Sequence, residues 1–111
     1  MAFVLTKKRL ANNWPVTINV PVDGGNIQEH VCTADFEILT QKEYDEKANE
    51  GDVALLNRVV VGLGPDVQHE DGSQITCTDA NKSLLFNSAP FVRVGFINAY
   101  HDAARGAAVK N

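Results

Sequence analysis

Several things are scarce in this chain, and each scarcity excludes a class of protein. Only two cysteines, Cys32 and Cys77, occur in 111 residues. They form no CxxC pair, so neither a disulfide framework nor a paired zinc-ligand pattern is written here. Both read as free, mostly buried thiols of a reducing compartment. Long apolar runs are missing too, and none approaches the roughly 20 residues of a membrane-spanning helix. The opening MAFVLTKKRL sets its apolar residues before a Lys-Lys-Arg cluster. A secretory leader has the reverse order, so action in the compartment of synthesis is expected. There is no cationic excess: 10 Lys+Arg against 14 Asp+Glu leave a formal charge of −4. That balance lacks the electrostatic footprint of a general nucleic-acid binder. With no internal repeat and no Ser/Gly linker, residues 1–111 read as one domain with an ordered core over about 14–105.

Catalytic patterns are equally thin. His30, Cys32, His69, Cys77 and His101 are the only soft metal ligands. His30-x-Cys32 on a strand would point both side chains one way, but no second closely spaced pair completes a site. The serines are Ser73, Ser83 and Ser88. None sits in a GxSxG-type elbow, and Ser88 reads as a helix cap. Gly62-Leu63-Gly64 does not continue into a phosphate-binding fingerprint and reads as a helix end. The acidic clusters Asp35/Glu37, Glu43–Glu50 and Glu70/Asp71 read as solvated faces or turns. No enzyme activity, cofactor, metal, nucleic acid or membrane partner is expected.

What is present is ordinary globular composition, 44% hydrophobic and 22% charged, with clear periodicity. Trp14, Val16, Ile18, Val20 and Val22 alternate, which predicts a half-buried strand over 14–22. Pro15 and Pro21 fall on its other face and mark it as an edge strand. Cys32, Ala34, Phe36 and Ile38 mark a second strand over 28–38. Both apolar sets are even-numbered, so the hairpin needs an odd loop: Asp23-Gly24-Gly25, with Gly25 left-handed.

Thr40-Gln-Lys-Glu43 is a capping box, with Leu39 and Tyr44 at staple positions, and predicts a helix from Gln41 to about Asn49. Gly51 ends it. A second helix starts at Asp52 with Val53, Leu56, Val59 and Val60 on one face. Its end is ambiguous, because Arg58–Val61 also reads as strand. Val67 and Ile75 flank Glu70-Asp71-Gly72, which predicts a small second hairpin near 66–77. Thr78 caps a short helix with Leu84 and Leu85 inward. A last helix opens at Ser88-Ala89-Pro90 and ends near Gly106, before a tail from Ala107 to Asn111. Its stripe is Val92, Phe96, Ala99, Tyr100 and Ala103. The fold class expected is α+β: an N-terminal antiparallel hairpin packed on three to four short helices.

The last helix lacks the polar back of an ordinary surface helix. Val94 and Ile97 point away from the main stripe and Phe91 lies to its side. Such a helix is either covered on most sides or offers part of itself to a partner. Phe91, Val94 and Ile97 are therefore the candidate partner-binding residues.

The order of blocks carries a resemblance. WPVTINVPVDGGNIQEHVCTADFEILTQKEYD, then LLNRVVVGLGPDV, EDG and APFVRVGFINAYHDA, resembles the small tail assembly chaperones of siphophage-like bacteriophages and prophages. The likeness runs from Trp14 to Ala104. Gly95 departs from it, standing where a better helix former is usual, as does Asn87-Ser88 before the proline. The resemblance implies a non-enzymatic protein of the bacterial host cytoplasm. Such a protein binds the tape measure protein, helps recruit tail tube subunits and is absent from the mature virion. The alternative it leaves open is a minor structural tail protein, a connector or terminator subunit retained in the particle.

Overall fold

In the computed structural model, residues 1–107 are described. The part of the expected tail at 108–111 lies outside the described residues. The fold is α+β, as the periodicities require. Strand β1 (Leu10–Pro21) and β2 (Ile27–Glu37) form an antiparallel hairpin, and β3 (Val60–Leu63) pairs antiparallel with β2, giving the order β1-β2-β3. Helices α1 (Gln41–Glu50), α2 (Asp52–Val59), α3 (Asp79–Phe86) and α4 (Pro90–Ala104) complete it.

The hairpin follows the parity argument. Asp23–Gly25 is a short 3-10 turn in which Gly24 and Gly25 have φ of 76° and 78°. Val16 then faces Cys32 and Trp14 faces Ala34. Val16, Cys32, Ala34 and Phe36 are buried, whereas Trp14 and Ile18 are half-buried. Val22, expected inward, is exposed. It lies where the ribbon joins its turn, where β2 no longer pairs with β3.

The strand starts four residues earlier than its alternation suggests, at Leu10 rather than Trp14. Asn12-Asn13 breaks the pattern because a bulge shifts the register between Ala11 and Trp14. Asn13 sits at φ 54° and its N–H donates to Asp35 Oδ1 at 2.8 Å. Asparagine tolerates this left-handed position better than other non-glycine residues.

Both edges of the sheet are blunted. Val22 N–H donates to Asn26 O at 2.9 Å, so beyond the bulge alternation turns the N–H positions of residues 15, 17, 19 and 21 outward, and Pro15 and Pro21 have none to offer, which leaves those of Thr17 and Asn19. On the other side, the carbonyls of Val60 and Leu63 accept from Lys82 Nζ (2.9 Å) and Gln74 Nε2 (3.3 Å). Such an edge resists strand addition.

The ambiguous stretch at Arg58–Val61 resolves as both readings. Helix α2 ends at Val59 and the chain passes directly into β3 at Val60. Leu55, Leu56 and Val59 are buried, with Val53 half-buried. Gly62, expected at a helix end, lies within β3 opposite Asp35. The β-branched run Val59-Val60-Val61 disfavours a helix, and the edge of β2 offers it hydrogen-bond partners. The second hairpin is a tight loop with one bridge, Gln68 to Gln74. His69 N–H donates to Ser73 O (2.8 Å), and Gly72 has φ 86°.

One capping assignment changes. Ser88 does not cap α4: its Oγ donates to Leu85 O at 2.6 Å and closes α3. The N-cap of α4 is Ala89, without a side-chain bond, followed by Pro90. The far end of α4 is a Schellman motif. Gly106 N–H reaches Ala103 O and Ala107 N–H reaches Asp102 O (3.2 and 2.8 Å), with Gly106 at φ 72°.

Candidate functional site

Helix α4 lies across β1 and also touches α2 and α3. That position explains its missing polar back. Val92, Gly95, Phe96, Ala99 and Tyr100 are buried. Phe96 meets Phe86 edge-on, ring centroids 5.1 Å apart, and Tyr100 meets Phe36 at 5.9 Å. Gly95 is where the helix backbone closely approaches the strand. A Cβ there would stand 2.7 Å from Thr17 O and 3.0 Å from Ile18 Cγ1. Glycine is used at that position because any side chain would push the helix off the sheet.

The three candidate residues differ in what they offer. Phe91 and Ile97 are half-buried against the core cluster. Val94 is 56% exposed. Spacing of three along the helix keeps them near one face, but Val94 alone is fully open to a partner.

A fourth apolar side chain was missed. Leu84, expected inward on α3, is 67% exposed. The buried positions of α3 are Lys82 and Phe86, one turn apart, which turns Leu84 outward. A lysine on the inner face hides this pattern, since lysine normally marks the solvent side. Lys82 is only 7% exposed, and its Nζ donates to Asn57 O at 2.8 Å and to Val60 O at 2.9 Å. These carbonyls lie at the C-terminal end of α2, where a cation is favoured. Asn57 Nδ2 donates to Ser83 Oγ (3.1 Å), while its buried Oδ1 has no partner among the described residues.

The soft ligands do not assemble. His30 is exposed and Cys32 buried. Burial, with the Asp66 carboxylate nearby, pushes the Cys32 thiol up to about 11. Burial also raises Cys77, and both thiols are free. At neutral pH neither is an activated nucleophile. Among the described residues no three His, Cys, Asp or Glu side chains gather into a group that could hold a metal. Nor is any described helix long and apolar enough to cross a membrane.

A second concave feature has no sequence signal, because its residues are far apart in the chain. Tyr44 of α1 stacks on Tyr100 of α4, with rings nearly parallel and centroids 6.2 Å apart. Tyr44 Oη is 2.8 Å from His101 Nε2, and Tyr100 Oη accepts from Leu39 N–H at 3.2 Å. With Ile38, Leu39 and Ala104 they line an open cleft of about 370 Å³.

Compared with family models, with curated proteins and with solved structures, the chain matches none.

Proposed function

We propose that this protein is a non-enzymatic phage tail assembly chaperone of the bacterial host cytoplasm. It holds segments of the tape measure protein, helps recruit tail tube subunits, and leaves before the virion is complete. The observation that carries the surface assignment is Val94. It is an exposed valine on the most deeply packed helix of the molecule, beside half-buried Phe91 and Ile97. Exposed Leu84 stands on the adjoining helix α3. The order of blocks from Trp14 to Ala104 supports the choice of partner.

The physics suits a holding role. Apolar side chains cover apolar stretches of a long helical partner, and each large one removed from water contributes about 1.5–3 kcal/mol. The formal charge of −4 helps keep the pair soluble. The proline-blunted edge of β1 favours docking through side chains over strand addition.

Co-purification with a tape measure segment tests the surface. Val94→Asp and Leu84→Asp should fold normally, as judged by circular dichroism, and lose most of the bound partner. Ile97→Asp should instead destabilise the domain, because a half-buried position tolerates a charge poorly. If the folded Val94→Asp, Leu84→Asp double variant retains normal binding, the surface assignment fails. Recovery of the protein in stoichiometric amounts from purified virions would favour a structural tail subunit over a chaperone.

A further inference from the structure

We propose that residues 1–9 form an arm that docks in the Tyr44–Tyr100 cleft of a second copy of this chain, closing a reciprocal dimer. The proposal does not rest on the tail assembly reading.

The arm is apolar at its start and basic at its root. Phe3 and Leu5 are 78% and 86% exposed, and Val4 is exposed as well. The Arg9 guanidinium lies 5.2 Å from the Phe3 ring centre and donates to Val4 O at 3.0 Å. The arm is thus folded on itself and holds its apolar side chains off its own body. Its root abuts the cleft: Arg9 O accepts from Ile38 N–H at 2.8 Å, and Ile38 lines the cleft wall. From Arg9 an extended chain carries Leu5 about 14 Å. Two copies related by a two-fold axis near this root can therefore exchange arms over a short crossing.

Charge points to the same occupant. Residues 1–22 contain Lys7, Lys8 and Arg9 and no acid, so all 14 acidic residues of the chain lie beyond them. Helix α1, which supplies Gln41 and Tyr44 to the cleft, carries Glu43, Asp45, Glu46 and Glu50 against Lys42 and Lys47. The cleft's own cation, Arg105, is paired with Asp102 at 2.8 Å. Among the described residues Lys8 meets Glu37 at 3.9 Å and stays largely exposed, so its charge and that of exposed Lys7 remain open to a partner. The accessible wall of the cleft is half-buried Tyr44 with Ile38 and Leu39, an apolar surface suited to Phe3 or Leu5, while Tyr100 lies buried behind it.

Light scattering on the full chain at about 100 µM, well above a micromolar Kd, should give twice the chain mass. Leu5→Asp should keep the circular dichroism spectrum and raise the dimer Kd at least about tenfold. Added salt should weaken the dimer too, since part of the attraction is between solvent-facing charges. Mixing differently tagged Leu5→Cys and Ala104→Cys chains under mild oxidation should yield a crosslinked heterodimer. A monomeric wild type under these conditions, or a dimer indifferent to Leu5→Asp, overturns the proposal. So does crosslinking seen only within single chains that carry both cysteines.

Discussion

Helix α1 buries no residue, whereas α4 buries five, and the two are held by different means. Around α1 the interactions are local or superficial. Thr40 Oγ1 accepts from Glu43 N–H at 3.3 Å, and its hydroxyl lies 3.2 Å from Glu43 Oε1. Gln41 bonds Asp45 at 2.8 Å, and Lys47 pairs with Glu50 at 3.3 Å. Two contacts tie α1 to the body: Arg58 Nη2 lies 3.0 Å from Glu37 and 3.3 Å from Glu43, and Tyr44 stacks on Tyr100 and meets His101 at 2.8 Å. Around α4 the local devices are missing at the start, where the N-cap has no side-chain bond, and a glycine sits mid-helix. Packing supplies what propensity does not. A helix made by its own sequence tolerates change, and one made by its neighbours does not.

The sharpest test of that contrast is Phe96→Ala in α4. Phe96 is fully buried against Phe86, and its truncation should cost about 3–5 kcal/mol in chemical denaturation. A loss below about 1 kcal/mol would mean that α4 is not the keystone of the core.

Next comes Gly95→Ala, where propensity and packing predict opposite signs. Alanine should gain about 1 kcal/mol in helix propensity. The new methyl would crowd Thr17 O at 2.7 Å, an overpacking cost of about 1–3 kcal/mol. A net destabilisation of up to about 2 kcal/mol is expected, and stabilisation would show that α4 sits farther from β1.

In α1, Thr40→Ala should cost only about 1 kcal/mol, the usual value of a lost cap. Hydrogen exchange should show the loss confined to the first turn of α1.

The smallest effect is in the acid limb of the stability curve. The Arg58 hydrogen bond holds the Glu37 carboxyl below its ordinary value of 4.5. A depressed folded pKa contributes stability that is complete above the unfolded value and is lost as pH falls through the folded one. Glu37→Gln should therefore flatten the decline in denaturation midpoint below about pH 4.5, the unfolded value. An unchanged acid limb would show that the Arg58 contact adds nothing to the tether of α1.

Much of this contrast was legible in the residues. The capping box, the two glycine-closed loops and the even-numbered alternation are rules of one or two turns of chain, and each sets local geometry directly. Legibility failed where a residue type misled. Lys82 reads as solvent-facing, which placed Leu84 inward. Ser88 reads as an N-cap, although its hydroxyl closes the preceding helix. The alternation begins only at Trp14, although the strand runs back through a bulge to Leu10. For the candidate surface, the excess of apolar residues on α4 was visible, but which of Phe91, Val94 and Ile97 stands open was not. Nor could the chain show that Tyr44, Tyr100 and His101 meet.

Sequence by itself determined the elements of this protein: their periods, the capped starts of α1 and α3, and the odd loop that keeps both strand faces in register. Those properties depend on neighbours a few residues apart and on which side chains avoid water. Tertiary structure alone decided the distances between elements, the exposure of Val94 and Leu84, the burial of Lys82 under α2, and the cleft at Tyr44. Those depend on how closely two backbones approach. At Gly95 that approach is set by the absence of a side chain, and its consequence appears only once β1 is in place.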